Sequence, residues 1–499
     1  MNTLNNLKSI IFKLKREEVK SLIKFQRYYQ DSTDKSNGKA IQLVENILTD
    51  PQCTAKDIQV GLYGRENYHA FNKLLNRTKD KIYEVLLFDQ NLSKSYYSER
   101  NRVVFEIRKK LMQSEVLYLR GMTEELEAFQ NKIISKAKEY EVYDSLIEAL
   151  QAKQRFMGFR FGKKEFNKIE NQIILFEENR KAVQRSRSLF TKIGAKINQS
   201  ESSDDYIEEL NESLKILEED FQNTNSATVG YYFYYLQTES FQINHLYEES
   251  QIILNKLLEL VTKNPSIYTR VRHGDVVMNI ANNEILIKNY DSAIQSAVLA
   301  TTFYEDNSVN QDLAKELEFF ARFYKGEIDH SEKILEEIYN SSRMSHTPFL
   351  YSKRAYLLAC IKNLKGEIQK SDELLSEVKE IEKDKEGWNL GKRIMTIINK
   401  IEKKDFESAD LKVLSLEKFI KRILKFRQVR KRDITILRIL LKLINEGFNF
   451  EKVYEQRKRY FELLESDDPE YKWKVKSPEI IIFHEWFKKK ILNGKSIEG

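Results

Sequence analysis

The stretch Ile280–Ala300, IANNEILIKNYDSAIQSAVLA, decides how the rest of the chain reads. Its second half places Tyr290, Ala293, Ala297 and Ala300 at intervals of three and four residues, so all four fall on one face of a helix. A helix that carries small residues on its apolar face can approach a neighbouring helix closely.

The same pattern returns along the chain. Small residues at Ser250, Ala293, Ser331, Ser371 and Ala409 are separated by 43, 38, 40 and 38 residues. Three positions before each stands a bulky apolar residue: Tyr247, Tyr290, Ile328, Ile368 and Phe406. Four after come Leu254, Ala297, Leu335, Leu375 and Val413, and seven after come Leu257, Ala300, Ile338, Val378 and Leu416. The turns before these helices match as well, with Lys325-Gly326-Glu327-Ile328 and Lys365-Gly366-Glu367-Ile368 the clearest pair.

On these residues the chain resembles the tetratricopeptide-repeat superfamily, whose units are helix-turn-helix hairpins with a small residue early in the second helix. The spacing exceeds that family's usual period, and its turn glycine is replaced by Lys288 and Lys404 in two units, so the resemblance is to a divergent member or a longer-helix relative. It covers roughly 226–464, about half of the chain. The resemblance implies hairpins stacked into a right-handed superhelix whose concave groove binds a peptide or helix of a partner protein, without catalysis. It transfers no ligand residues, because the family's shared positions are packing positions.

Composition agrees with an all-α chain. Sixteen glycines and five prolines in 499 residues are too few for a turn-rich β protein. Charged residues at 32% and hydrophobic residues at 41% suit amphipathic helices rather than disorder. The net charge of +7 over this length is a weak argument for nucleic acid or an anionic membrane. Cys53 and Cys360 are far apart and form no CxxC unit, which points away from disulfides or a cysteine metal site and toward a reducing, cytoplasmic setting. The first twenty residues alternate charge with apolar side chains, so neither a signal peptide nor membrane insertion is expected.

Breaks in periodicity divide the chain into an N-terminal helical domain (1–92), long helical hairpins that read as degenerate repeats (93–225), the repeats themselves (226–465) and a C-terminal capping element (466–499). In the first, Thr54 and Asp57 form an N-cap pattern, and Tyr63-Gly64 supplies a turn before a longer helix carrying Lys73 and Arg77. That outline fits a DNA-binding helix-turn-helix, although glycine-turn hairpins with solvated lysines are commoner. Gly158-Phe159-Arg160-Phe161-Gly162-Lys163 has no flanking β pattern and reads as a loop between helices.

The run from Lys418 to Arg432 holds Lys418, Lys421, Arg422, Lys425, Arg427, Arg430, Lys431 and Arg432 with no acidic residue. It is a candidate anion- or nucleic-acid-facing surface; the plainer reading is a solvated helix balanced by Asp204, Asp205, Glu208, Glu209 and Glu212. Tyr231, Tyr232, Tyr234 and Tyr235 are candidate groove aromatics, but a five-residue aromatic run winds around a helix, so most of its rings should pack in the core. Trp473 and Trp486 with 480–483 read as the apolar seal of a last unit.

There is no phosphate-binding loop or dinucleotide fingerprint, and His484-Glu485 lacks the second histidine of a zinc motif because Lys488 stands there. No catalytic, cofactor or metal residue is expected. Three functions follow, in order: a non-catalytic protein-binding scaffold, a transcriptional regulator pairing an N-terminal DNA reader with a sensing array, and an enzyme whose site is assembled across repeats.

Overall fold

A computed structural model of the protein describes residues 2–14, 16–28, 35–88, 99–199, 206–341, 348–381, 384, 387–425 and 429–495. Among these residues there are 24 helices and no strand, and the chain divides into two compact units, 1–102 and 103–499.

The first unit contains α1 (Asn2–Lys13), α2 (Arg16–Tyr28), α3 (Lys35–Thr49), α4 (Ala55–Tyr63) and α5 (Tyr68–Phe88). Its core gathers Leu7, Ile11, Leu22, Leu43, Val44, Ile47, Phe71 and Ile82. A full capping box starts α4: the Thr54 hydroxyl accepts from the Asp57 amide, and the Asp57 carboxylate accepts from the Thr54 amide at 3.0 Å. Gly64, at φ 72°, ends it in the left-handed region.

The second unit opens within α6 (Glu99–Leu119), whose first turn belongs to the first unit, and continues with α7 (Thr123–Glu139), α8 (Tyr143–Phe161), α9 (Lys163–Gln199) and α10 (Ile207–Thr224). The sequence loop at 158–163 shrinks to a break at Gly162, because α8 continues through Phe161. The five predicted hairpins follow: α11 (Ala227–Ile243) with α12 (Tyr247–Lys263), α13 (Arg270–Leu286) with α14 (Tyr290–Thr301), α15 (Val309–Lys325) with α16 (Ile328–Tyr339), α17 (Pro348–Leu364) with α18 (Ile368–Glu377), and α19 (Trp388–Glu402) with α20 (Phe406–Ile423). After them come α21 (Lys431–Asn445), α22 (Phe450–Gln456), α23 (Lys458–Glu465) and α24 (Phe483–Lys495).

The repeat register is reproduced at every position. Ser250, Ala293, Ser331, Ser371 and Ala409 are each 0% exposed, which is why nothing larger fits there. Each bulky residue three places earlier is the first residue of its second helix. The residue five places before each small one is left-handed: His245, Lys288, Gly326, Gly366 and Lys404, with φ between 57° and 93°. Gly121 and Glu141 repeat that turn before α7 and α8, but with Leu126 and Leu146 where the small residue would stand.

Successive hairpins are also joined by buried amides. Asn283 donates to the Tyr247 carbonyl (2.8 Å) and to Gln251 (2.9 Å) of the hairpin before it. Asn399 does the same to Ser371 (2.9 Å) and Asp372 (2.8 Å). Between α15 and α17 the link is ionic, with the fully buried Arg354 donating to Glu316 at 3.0 Å. Breaking such a buried pair is strongly destabilising, because the partner's charge remains in the interior.

Candidate functional site

The first helices of the hairpins, α11, α13, α15, α17 and α19, continue into α21 and form one face of the array. The chain itself fills much of that face. Residues 466–482, which contain no helix, leave α23 and run back across the first helices before α24 begins. We call this stretch the belt.

Its contacts are specific. The Lys476 amide donates to the Tyr324 hydroxyl of α15 at 2.7 Å, and the Lys476 ammonium donates to Asn282 of α13. Trp473 stands edge-on to Tyr324, with ring centroids 5.8 Å apart. The Tyr356 hydroxyl of α17 donates to the Pro478 carbonyl. Gly391 of α19 lies beneath the same residue, where an added β-carbon would come within 2.8 Å of the Pro478 oxygen. At the start of α21, Arg432 pairs with Glu479 through two nitrogens, at 2.5 and 2.8 Å, and donates to the Leu464 and Tyr471 carbonyls. Ile480 and Ile481 then enter the core of the array.

The belt also touches the start of the array electrically. Burial pushes the His245 imidazole below its usual pKa, with help from the Lys474 ammonium, and burial followed by the Arg430 charge lowers Lys474 itself. Asp433, which accepts from Arg430 at 2.9 and 3.0 Å, is raised by desolvation despite that partner.

At α11 the face is covered differently. Phe190 of α9 packs against Tyr232 and Tyr235 at centroid distances of 5.0 and 5.3 Å. Tyr231 is buried beneath the Arg272 guanidinium, 4.9 Å from its ring, and burial raises its hydroxyl to about 12. Tyr234 turns away from the other first helices and meets Phe221 of α10 edge-on at 5.7 Å. The four candidate tyrosines therefore sit in helix contacts. Burial also raises Glu239, which accepts a 3.4 Å bond from the Tyr206 hydroxyl.

The basic run separates into parts. Lys418, Lys421, Arg422 and Lys425 are exposed near the end of α20, where Lys421 pairs with Glu417 at 2.8 Å. Arg430 serves Asp433, and Lys431 pairs with Glu470 of the belt. Arg432 does not reach the surface: its side chain is 3% exposed and committed to Glu479, so it is closed to an external anion while the belt is in place. Arg427, Asp204 and Asp205 lie outside the described residues. Lys73 and Arg77 are exposed on α5. Trp486 donates to Glu402 at 2.7 Å and is buried in the array's core, whereas Trp473 travels back to α15.

Among the described residues, no group of three or more His, Cys, Asp and Glu side chains is placed to hold a metal ion, and no helix is long and apolar enough to cross a membrane.

No protein family pattern and no curated protein sequence matches the chain. Among solved structures it is similar to apo RapI (12% identity, 79% of this chain, 98% of that one, TM-score 0.46) and to Pseudomonas aeruginosa PilF (12%, 48%, 93%, 0.34). A third is a Pyrococcus horikoshii signal-transduction ATPase with a tetratricopeptide-repeat sensor (11%, 88%, 66%, 0.43). The fivefold register of buried small residues and left-handed turns makes the array a divergent, tetratricopeptide-like stack of helical hairpins.

Proposed function

We propose that the protein is a non-catalytic scaffold that recognises an extended polypeptide on the first-helix face of its array. One observation carries this reading. That face already holds an extended segment, the belt, through groups that read backbone as well as side chain: the hydroxyls of Tyr324 and Tyr356, and the guanidinium of Arg432. Hydroxyls aimed at main-chain groups hold a chain largely independently of its sequence, while Arg432 and Asn282 add selectivity.

The test is selection of random displayed peptides on the full-length protein, followed by Tyr324→Phe and Asn282→Ala. Binders that weaken about tenfold or more in both variants support the scaffold. If no peptide is selected either on the parent or on a Pro478→Ala protein, in which the belt is held less tightly, or if all bind the Tyr324 and Asn282 variants as well as the parent, the reading is wrong.

A second reading has its own support. Residues 1–102 contain 18 Lys and Arg against 12 Asp and Glu, so almost all of the chain's net charge of +7 resides in the first unit. The exposed side of α5 presents His69, Asn72, Lys73, Asn76 and Arg77, with no carboxylate between Tyr68 and Lys79. Such a face suits phosphates and base edges. Salt-sensitive duplex binding that falls on Lys73→Ala and Arg77→Ala would favour a DNA-linked regulator over a pure scaffold.

A further inference from the structure

We infer that the belt is a tethered stand-in for the scaffold's partner, and that the partner is an extended segment of matching chemistry that must displace it. The matching chemistry is a lysine, a proline two residues later, a glutamate, and then two aliphatic residues. This deepens the scaffold reading and rests on it.

Four observations carry the argument. First, the belt's central segment, Lys476-Ser477-Pro478-Glu479-Ile480-Ile481, is held residue by residue. Asn282 takes the lysine, Gly391 and Tyr356 take the proline, Arg432 takes the glutamate, and the array's core takes both isoleucines. An incoming chain with those groups at those spacings reproduces every one of these contacts. Second, Gly391 lies inside helix α19, where glycine is unfavourable by roughly 1 kcal/mol relative to alanine. What its missing side chain makes room for is Pro478 and the Tyr356 hydroxyl, so the helix is shaped for a chain lying across it.

Third, the belt is an imperfect occupant. Lys476 is left-handed at φ 61°, a conformation unfavourable by roughly 1–2 kcal/mol for a residue with a β-carbon. A cavity of about 20 Å³ remains beneath it, lined by Tyr356, Met395, Ile398, Asp433 and Pro478. A free peptide is not forced into that strain by the helices on either side. Fourth, the belt joins two separately packed elements. Phe461 and Leu464 of α23 and Phe483 and Phe487 of α24 are buried in their own right, so the stretch between them can lift while both ends stay docked.

Tethering sets the size of the effect. A segment fixed at both ends competes at an effective concentration in the millimolar range or above. In the intact protein a micromolar peptide is therefore largely excluded, and loosening the belt admits it.

The experiment uses the full-length protein and a fluorescein-labelled peptide with the sequence of residues 470–482, read by fluorescence polarisation. Glu479→Gln removes the carboxylate that the belt offers to Arg432 while leaving the peptide's glutamate free to use Arg432. Expected is at least a tenfold tighter Kd than for the parent protein, and loss of that gain when Gly391→Ala is added. Pro478→Ala, which changes only the belt, serves as a milder second loosening.

A folded Glu479→Gln or Pro478→Ala protein with no gain in peptide affinity overturns the proposal. So does a concentration-dependent dimer in which two copies exchange belts, since a second copy would then be the occupant. If both variants lose the fold outright, the belt is a fixed structural strap and the proposal fails. Selected peptides that depend on Tyr324 and Asn282, yet bind the parent and loosened proteins equally, would leave the scaffold standing and remove the belt's role.

Discussion

Gly391 and Pro478 are in mutual contact at a distance that excludes any side chain: a β-carbon on the helix would stand 2.8 Å from the proline oxygen and 3.0 Å from its ring. Gly391→Ala therefore opposes two effects of different sign. Helix propensity alone would stabilise by about 1 kcal/mol, whereas forcing a methyl group into a filled site destabilises by roughly 1–3 kcal/mol. We expect net destabilisation in urea denaturation. A stabilised variant would mean that the belt does not press on α19.

Arg432 and Glu479 form a pair with both side chains nearly inaccessible. Replacing Arg432 by Ala should destabilise by about 3–5 kcal/mol, because Glu479 is left charged in the interior. The double change to Met at both positions should lose much less. Thermal melts of the two single variants and the double variant measure this, and simple additivity would contradict direct coupling.

Lys288 and Lys404 occupy left-handed turn positions, at φ 64° and 57°, that other hairpins give to glycine. Lys288→Gly and Lys404→Gly should be neutral or stabilising by about 0.5–1 kcal/mol each, since glycine takes up this conformation without a steric penalty. Clear destabilisation of both would show that these turns are not left-handed in solution.

Glu239 has a pKa raised by burial. A raised value means that the native state binds the proton more readily than the unfolded chain. The associated stability is full below the ordinary glutamate value of about 4.3 and is lost as pH rises through the raised one. Glu239→Gln should therefore raise Tm at pH 8 and change it little at pH 4. The reverse order would require Glu239 to be held as an anion by a cationic partner.

Local periodicity made the repeats legible. The five small residues, the first residues of the second helices and the turn positions were all set by contacts within a hairpin or with the next one, which sequence spacing encodes directly. Even the capping box at Thr54 and Asp57 could be read, since both partners lie within one turn. The belt could not. Lys476 meets an asparagine 194 residues away, and nothing in the 466–482 composition distinguishes a strap from a cap.

Arg432 illustrates the same limit from the other side. Within a run of eight basic residues it looks like its neighbours, but its place at the start of α21 turns it inward to a glutamate 47 residues later. For the tyrosines, helix geometry alone requires a five-residue aromatic run to face several ways. That Phe190 would cover Tyr232 and Tyr235 depended on where the long helix α9 crosses α11, which no local pattern reports.

A stack of hairpins held only by neighbours can be completed unit by unit as it leaves the ribosome. Here the belt is made after every hairpin it binds, so Tyr324 and Tyr356 wait uncovered while more than a hundred further residues are synthesised, and the surface around Gly391 waits for Pro478 as well. The newborn protein thus passes through a stage in which its binding face is open to any suitable chain nearby, including a chaperone, and self-closure comes only after the hairpins are built.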